Sequence, residues 1–332
     1  MKTAFALWSL FLWPSLFGYE VKIRVVDDKG VPVPDARAVI SFVMIQRGTD
    51  IEHVGMTDKN GEFSANGRGN HSVFVSVRKT SHYEARLDNL PNDKDLDLTA
   101  VLPRVSNPIP LYANRFSPGT GRGLKIPKQN EWLGYDFEIG DWVSPFGRGA
   151  ESDIRFKFRN EFKGYQDHVK NLPEDIAFSK RAHAARKEEW TEEKFKLSAG
   201  KWDAELEISF AGEREGLFEE IRFLEYSRLK LPHNAPAEGY VPTWRYTANN
   251  YSPRTARQNV GFFLRTRVKV DKSGNIISAN YAKTVGDIYL VPQGMLMFTY
   301  YFNPVPNDRN LEFDPKRNLF PASFPGARVD EP

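Results

Sequence analysis

The densest group of residues suited to ligand binding is an aromatic, amide-rich stretch between residues 236 and 251. Flat aromatic rings stack on sugar rings, and amide and guanidinium groups hydrogen-bond to hydroxyls. The stretch has no period, so it is interpreted as a loop whose rings either bind a carbohydrate or pin the loop to the core. The candidate ligand-binding residues are Tyr240, Trp244, Arg245, Tyr246, Asn249, Asn250, Tyr251, Trp132 and Trp142.

Carboxylates repeating at every second residue offer a different chemistry. The acidic row is Asp203, Glu205 and Glu207, and a basic row is formed by Arg265, Arg267 and Lys269. Glycosidases use two carboxylates roughly 5–10 Å apart. Neighbouring carboxylates on one face of a strand can meet this distance. Opposite charges on adjacent strands also pair, at roughly 0.2–1 kcal/mol each. Structural pairing of the two rows is the preferred interpretation, and acid-based hydrolysis or lysis of a carbohydrate is the alternative.

Metal and nucleophilic chemistry find little support in the sequence. Cysteine is absent, which excludes disulfides, zinc-thiolate sites and cysteine nucleophiles. The six histidines are scattered, and the sequence contains no Gly-x-Ser-x-Gly motif. Turns at Asp58–Gly61 and Asp271–Asn275 carry oxygens that calcium favours, but neither reaches the acidic twelfth position of an EF-hand loop. We therefore predict no catalytic residue, no metal site and no cofactor.

Composition and the N-terminus indicate an exported, folded protein. With 40% hydrophobic residues and a net charge of +3 over 332 residues, the chain is neither disordered nor a basic nucleic-acid binder. Lys2 followed by the apolar run Ala4 to Phe17 is typical of a secretory signal, predicted to end at Gly18. No span of about 20 apolar residues follows, so no membrane span is expected after signal removal. The predicted location is the periplasm, the cell surface or the medium.

Alternating apolar residues predict an all-β chain in two domains. Residues 19–103 carry several short strands with turns between them, which favours a small β-sandwich. Residues 104–130 are rich in proline and glycine and are interpreted as a linker or a strap on a neighbouring surface. Residues 131–332 show longer alternating strands with one wet face, which predicts a larger antiparallel, jelly-roll-like sandwich. One charged stretch, Glu174 to Lys196, predicts a short helical excursion.

Two segments of the first domain carry a family resemblance. The runs Val26 to Ala36 and Thr57 to Phe63 resemble the carboxypeptidase regulatory-like domain, with Asp35 where that family often has glycine. The resemblance implies a prealbumin-like seven-stranded sandwich, which is usually an accessory module in exported proteins. The C-terminal portion, for example residues 303–318, resembles uncharacterised exported bacterial proteins that carry this module. This second resemblance implies no known reaction.

These observations favour an exported, non-catalytic binding or structural protein. Carbohydrate recognition by the C-terminal domain is the leading hypothesis, with a polysaccharide or a cell-surface protein as partner. A carbohydrate-active hydrolase or lyase is one alternative. The other is an architectural subunit of the cell surface that associates through exposed strand edges.

Overall fold

The computed structural model describes residues 18–46, 50–117, 123–252, 257 and 259–332. Within them the chain divides into two compact units. The smaller unit extends to Val105 and includes Tyr226–Arg228, and the larger comprises Ser106–Glu225 and Leu229–Pro332. The predicted signal segment lies outside the described residues, apart from its last residue, Gly18.

Seven strands build the described part of the smaller unit. They are β1 (Tyr19–Val26), β2 (Arg37–Val43), β3 (Ile51–Met56), β4 (Glu62–Gly67), β5 (Ser72–Arg78), β6 (Ala85–Leu90) and β7 (Leu96–Val101). One sheet has the order β4-β1-β7 and the other has the order β3-β2-β5-β6. The β1–β7 pair is parallel, and every other pair in the two sheets is antiparallel.

The core of the smaller unit follows from the alternation along its strands. Apolar side chains at every second position point to the same face, and they are fully buried in a single cluster. The two central rows are Val21, Ile23 and Val25 on β1, and Val73, Val75 and Val77 on β5. Burial of side chains of this size contributes roughly 1.5–3 kcal/mol each, so the packing of two valine-rich rows stabilises the sandwich.

Two aspartate-capped turns fix the strand connections of this unit. The Asp27 carboxylate accepts hydrogen bonds from the backbone N–H groups of Lys29 and Val31, both at 2.9 Å. Asp58 caps the next turn through its own contacts to two backbone N–H groups. Gly61 follows with φ 75°, a left-handed conformation that glycine adopts without steric cost. These turns hold the ends of β1 and β4 in register.

Eleven strands and two helices build the described part of the larger unit. They are β8 (Tyr112–Phe116), β9 (Leu124–Lys125), β10 (Trp132–Asp136), β11 (Asp141–Trp142), β12 (Ile154–Tyr165), α1 (Leu172–Ala185), α2 (Glu192–Ala199), β13 (Gly200–Ser209), β14 (Gly216–Glu220), β15 (Thr243–Asn249), β16 (Gly261–Val270), β17 (Ile276–Val291) and β18 (Met295–Asn303).

Two antiparallel sheets face each other in the larger unit. One has the order β11-β10-β12-β13-β15, and the other has the order β14-β16-β17-β18-β8, with β9 also paired to β18. The core between them is aromatic, and it includes Phe156, Leu206, Phe262 and Phe298. Strands make up 47% of the chain and helices 8%, which confirms the prediction of an all-β fold.

The six-stranded sheet is buried on both faces, whereas the alternation of apolar residues predicts one solvent-exposed face. A second apolar cluster covers its outer side, where Leu231, Leu311 and Phe313 pack with Phe263 and Tyr301. The covering residues come from the segments before β15 and after β18. The alternation of apolar residues indicates only the face that packs in the core between the two sheets. It therefore does not predict the segments that cover the other face.

The segment predicted as a linker contributes β8 and β9 to the larger sandwich. Leu111 and Ala113 are fully buried, and β8 pairs with β18 along five residues. Before β8, the buried Glu312 carboxylate accepts the N–H groups of Ser106 and Asn107 at 2.9 and 2.6 Å. The segment is therefore strapped onto the larger unit and does not form a free linker.

The predicted helical excursion divides into two helices inserted between β12 and β13. Pro173 lies in the first turn of α1, where its missing N–H costs nothing. The Thr191 hydroxyl accepts the N–H of Lys194 at 3.1 Å and caps α2. Only α2 buries apolar side chains, Phe195 and Ala199. Among the described residues, neither helix combines the length and apolarity that a membrane span requires.

Candidate functional site

The five-stranded sheet carries a ladder of charged side chains on the face opposite the core, which we call the outer face. Even-numbered residues of β12 and β13 face the core, so odd-numbered residues point outward. Lys157, Glu207 and Arg245 occupy one register row across β12, β13 and β15. Arg159 and Glu205 occupy the next row. The outer face thus alternates positive and negative groups across the strands, whereas within these two rows β12 carries only cations and β13 only carboxylates.

The acidic row pairs with cations across strands, as predicted, but with different partners. Arg159 Nη2 lies 2.7 Å from Glu205 Oε2, and Arg245 Nε lies 3.5 Å from Glu205 Oε1. Glu207 has Lys157 at 3.6 Å. The expected partners, Arg265, Arg267 and Lys269, lie on β16 in the other sheet. Alternation gives the face of each strand, but it does not specify which strands become neighbours.

Two residues of the basic row on β16, Arg265 and Arg267, make structural contacts within the larger unit. Arg265 stacks on the Tyr240 ring with its guanidinium carbon 4.4 Å from the centroid, and it donates to the backbone carbonyl of Arg214 at 2.8 Å. Arg267 reaches the fully buried Asp153 carboxylate from a β-bulge, where its own φ is 51°. Neither arginine lies on the outer face.

A cleft of about 650 Å³ lies along β12, β13 and β15. Its lining residues are mainly charged, amide-bearing and hydroxyl-bearing ones, and they include two tyrosines. The lining residues are Arg159, Asn160, Glu161, Asp203, Ala204, Glu205, Tyr246, Thr247, Ala248, Asn249, Ser252 and Tyr289. A concave site of this size with several polar groups suits a small hydroxyl-rich ligand or a segment of a longer one.

The predicted residues Tyr246 and Asn249 line this cleft. Burial raises the pKa of Tyr246, so its hydroxyl stays protonated and able to donate a hydrogen bond at neutral pH. The Asn249 side-chain oxygen accepts the N–H of Ser252 at 2.8 Å and fixes the end of β15. Beside them, the Tyr251 hydroxyl donates to the Asp203 carboxylate at 2.5 Å. The cleft is thus preorganised by contacts within the chain.

The electrostatics of Glu205 do not suit a general acid. The hydrogen bond from Arg159 lowers the pKa of Glu205, and Arg245 acts in the same direction. A catalytic acid at neutral pH needs a raised pKa, which burial without a cation provides. Glu205 is instead held ionised, as a hydrogen-bond acceptor.

Seven of the sixteen residues in the aromatic stretch form strand β15, which corrects the interpretation of the whole stretch as a loop. Thr243–Asn249 pairs with β13 over seven residues. Two of the predicted aromatic residues serve the cores. Trp142 is buried and donates from its indole nitrogen to the Lys125 carbonyl at 3.0 Å. Tyr240 packs in the second apolar cluster and donates to the Pro236 carbonyl at 2.9 Å. Neither residue lines the cleft.

The remaining predicted residues surround the cleft or lie further along the sheet. Trp244 packs edge-on against Phe262, with ring centroids 5.5 Å apart. The Asn250 amide is occupied by the backbone of Gly200 and Trp202. The exposed Arg245 belongs to the charged ladder. Trp132 is 44% exposed on the outer face, where the Lys157 amino group lies 5.7 Å from its ring. Trp132 and Arg245 therefore remain accessible to a ligand, unlike Trp142.

Sequence reasoning missed most of the cleft lining, because only two of the nine candidate ligand-binding residues, Tyr246 and Asn249, are among the twelve that line it. Asn160, Glu161 and Arg159 come from β12, and Tyr289 comes from β17. The alternation of β12 placed Arg159 on its polar face, but nothing local indicates that β12 pairs with β13. Tyr289 follows a register shift in β17, and no sequence signal placed it near β15.

In the described ranges, no group of three or more His, Cys, Asp or Glu side chains is arranged to hold an ion. The turn oxygens considered for calcium are committed to the backbone. Asp271 Oδ1, for example, accepts the N–H groups of Ser273 and Asn275 at 2.8 and 2.9 Å.

Fold and site together define an all-β protein of two units with a polar cleft in the larger sandwich. No protein-family profile and no curated protein matches the chain. A solved Streptococcal ancillary pilin is similar over 86% of this chain at 8% identity, with TM-score 0.20, and this chain covers 59% of the pilin chain.

Two further solved structures are similar at the same level. A candidate carbohydrate-binding protein from Bacteroides uniformis has TM-score 0.21 and 9% identity, over 87% of this chain and 98% of its own. A DUF3823 family protein from Parabacteroides merdae has TM-score 0.20 and 6% identity, over 86% and 96%. Likeness of this degree carries no argument about function.

Proposed function

We propose that the larger unit binds an extracellular carbohydrate in the cleft between β12, β13 and β15, and that the protein is exported and non-catalytic. The observation that carries the proposal is the lining of the cleft. Tyr246 and Tyr289 offer ring surface, while Asn160, Thr247 and Ser252 offer amide and hydroxyl groups. Sugars present alternating apolar ring faces and hydroxyls, and they are bound by this combination of groups.

Affinity electrophoresis of the full mature chain in gels containing soluble polysaccharides tests the proposal. We expect retardation of the wild type by at least one polymer. Tyr246→Ala should abolish the retardation, and Tyr289→Ala should reduce it several-fold, because each removes ring surface from the cleft. Tyr226→Ala, an exposed tyrosine of the smaller unit, is the matched control and should migrate as the wild type.

Thermal unfolding followed by tryptophan fluorescence distinguishes lost binding from lost folding. The five tryptophans at positions 132 to 244 all belong to the larger unit, so their signal reports on the unit that holds the cleft. If Tyr246→Ala unfolds, the milder Tyr246→Phe, which removes only the hydroxyl, provides the comparison. Equal retardation of the wild type and both cleft variants would refute binding at this cleft.

The smaller unit is proposed to be a carboxypeptidase regulatory-like accessory module. The two segments that carry the resemblance lie side by side: the Asp35 N–H donates to the Thr57 carbonyl at 3.0 Å, and the Thr57 N–H donates to the Ala36 carbonyl at 2.9 Å. Asp35 itself takes φ 51°, the left-handed conformation that glycine favours, at the position where the family often has glycine.

Export is tested on the protein expressed in a bacterial host. We expect N-terminal mass analysis of the mature chain to show removal of the segment through Gly18, with the protein in the periplasmic or extracellular fraction. A cytoplasmic protein that retains Lys2 and the apolar run behind it would contradict the export part of the proposal.

One observation favours an architectural role as a second candidate. Strand β3 is the edge of the four-stranded sheet, and its side chains Ile51, Val54 and Met56 are 42%, 53% and 55% exposed. Exposed apolar edge strands promote pairing between chains. Analytical ultracentrifugation at high protein concentration should then show self-association that Val54→Lys removes. A strict monomer would count against this role.

A further inference from the structure

The core-facing side of the cleft indicates how a sugar ring can lie in it. Resting on the function proposed above, we infer that the cleft holds a pyranose ring flat between the two sheets and selects sugars whose ring substituents are all equatorial, such as glucose. The five-stranded sheet has a row of small side chains at this point, and the facing sheet contributes a tyrosine to the same cleft.

One register row on the core-facing side combines two alanines with an asparagine. Asn160 of β12 is paired with Ala204 of β13, and Ala204 is paired with Ala248 of β15. All three residues line the cleft. Even-numbered residues of these strands pack toward the core between the two sheets. The methyl groups of Ala204 and Ala248 therefore form the floor of the cleft on the core-facing side.

Large side chains bound this row on both sides. Core-facing residues of one strand follow each other at about 7 Å, so the two bounding rows are about 13 Å apart along the strands. The alanine-containing row is thus a depression across the sheet, which we call the trough. The bounding residues are Phe158, Leu206 and Tyr246 on one side, and Phe162 and Trp202 on the other.

The facing sheet lies over the trough. Tyr289 of β17 lines the same cleft. The Asn160 side-chain amide donates to the backbone carbonyl of Pro292, directly after β17, at 2.8 Å. Burial raises the pKa of Tyr246, and Asp287 and Tyr289 of β17 raise it further, so Tyr246 lies close to the facing sheet. A ligand in the trough is therefore enclosed by both sheets.

The thickness of the space follows from the packing of the two sheets. Facing sheets lie about 10 Å apart, and two layers of side chains normally fill the gap. In the trough, the layer of the five-stranded sheet is reduced to methyl groups at Ala204 and Ala248. The space left is about as thick as the missing layer, which is enough for one flat ring and not for two stacked rings.

A pyranose with only equatorial substituents suits a space of this shape. Its hydroxyls project from the rim of the ring, and both of its faces carry C–H groups. One face can lie on the alanine methyls while the other contacts Tyr289, and rim hydroxyls can bond to the Asn160 oxygen and the Tyr246 hydroxyl. An axial hydroxyl would instead point at the methyl floor, where it would be buried without a hydrogen-bond partner.

Affinity electrophoresis of the full mature chain with four soluble polymers tests this preference. Mixed-linkage β-glucan and laminarin consist of glucose, whose ring substituents are equatorial. A linear β-galactan and a galactomannan carry an axial oxygen on each main-chain ring. We expect the glucose polymers to retard the wild type, and Tyr246→Ala to abolish this retardation. Retardation by the two axial polymers should be weaker by about tenfold or more, because each buried unpaired hydroxyl opposes binding.

Two results would overturn the inference, and they are distinguishable. Tyr246-dependent retardation by the galactan or the galactomannan, as strong as that by the glucose polymers, would leave carbohydrate binding intact but refute a flat, methyl-floored site. No Tyr246-dependent retardation by any of the four polymers would refute this inference along with the proposed function.

Ala248→Leu tests the trough directly. The larger side chain should fill the space and abolish retardation by β-glucan, while the midpoint of thermal unfolding changes by less than about 2 °C, because the trough has room for it. Ala150→Leu adds the same group at an exposed position outside the cleft lining and should bind as the wild type does.

A second alanine provides the control for packing. Ala282 is fully buried in the core of the larger unit, so Ala282→Leu overpacks that core and should lower the midpoint by about 4 °C or more. A loss of stability in Ala248→Leu as large as that in Ala282→Leu would show that the trough is already filled. Retardation of a folded Ala248→Leu variant at the wild-type level would place the ligand elsewhere, and either result would overturn the inference.

Discussion

The guanidinium of Arg267 donates two hydrogen bonds to the buried carboxylate of Asp153, from Nε at 2.8 Å and from Nη2 at 3.0 Å. The same arginine reaches Glu138 at 2.7 Å and Asp136 at 3.3 Å. Asp153 also accepts the Thr266 hydroxyl at 2.9 Å. This network joins the bulge of β16 to the β10–β12 connection, so the two facing sheets are held together by a buried ion cluster.

Asp153→Ala should destabilise the larger unit by about 3 kcal/mol. The substitution removes the carboxylate that accepts two hydrogen bonds from Arg267, and it leaves the Thr266 hydroxyl and the Phe137 N–H without their acceptor. Urea unfolding followed by tryptophan fluorescence measures the effect. The matched control is Asp203→Ala, whose carboxylate lies on the exposed outer face, and it should cost less than 1 kcal/mol. Equal losses in the two variants would contradict a special role for the buried cluster.

The alternation of apolar residues was sufficient to predict which strand faces form the main core. Ile154, Phe156 and Phe158 alternate with charged residues in the sequence and are buried, and the same holds for Leu206 and Ile208. Each of these predictions depends only on the period of two along one strand, which is a local property. For the same reason, the all-β class could be predicted without knowing how the strands are ordered.

The neighbours of each strand could not be predicted in the same way. The acidic row on β13 had two possible sets of cationic partners, and the pattern of charges fits either. The register of Arg159 with Glu205 depends on β13 returning alongside β12 after the helical insertion, which is a long-range outcome. The burial of Arg265 depends likewise on the segment around Tyr240 folding across β16. When a distant segment of the chain covers one face of a sheet, the sequences of the covered strands carry no periodic signal of it.

Lys283 should make the stability of the larger unit depend on pH above neutrality. It is fully buried, its amino group has no hydrogen-bond partner among the described residues, and the Tyr301 ring lies 4.7 Å away. Burial lowers the pKa of Lys283 to about 7, against a smaller opposing effect of Glu312. The folded state therefore binds fewer protons than the unfolded state between about pH 7 and the ordinary lysine pKa, and stability rises with pH across that window.

Lys283→Met removes the buried amine and should remove this pH dependence. At pH 7 we expect a gain on the order of 3 kcal/mol in the free energy of unfolding, because an unpaired buried amine is replaced by an apolar chain of similar length. Urea unfolding at pH 7, 8 and 9 measures both effects. Lys272→Met, in an exposed turn, should keep the wild-type slope. A variant of Lys283 with the wild-type slope would show that another group titrates.

Glu312 should hold the strap that precedes β8. Its buried carboxylate accepts the N–H groups of Ser106 and Asn107, so Glu312→Ala leaves two backbone donors without that partner. A fully buried unsatisfied donor costs about 1–3 kcal/mol, and because Ser106 and Asn107 are exposed to water we expect a loss at the low end of that range. Hydrogen exchange should accelerate at residues 106–109 well before global unfolding, while β17 keeps its protection. Unchanged exchange in the strap would mean that its burial against the sheet, and not the carboxylate, fixes it.

Asp35 should be replaceable by glycine with a gain in stability. Asp35 has φ 51°, where the Cβ atom of an L-residue clashes with the backbone. This clash costs roughly 1–2 kcal/mol for most residue types and less for Asp or Asn, whereas glycine has no Cβ and no such cost. Glycine also loses more chain entropy on folding, which offsets part of the benefit. We expect Asp35→Gly to stabilise the smaller unit by about 0.5 kcal/mol and Asp35→Ala to destabilise it by about 1 kcal/mol. Calorimetric unfolding of the two variants decides between conformational and side-chain effects, since both remove the same carboxylate. Opposite signs establish that the left-handed backbone is what the position demands, and equal losses would instead assign the stability to the Asp35 carboxylate.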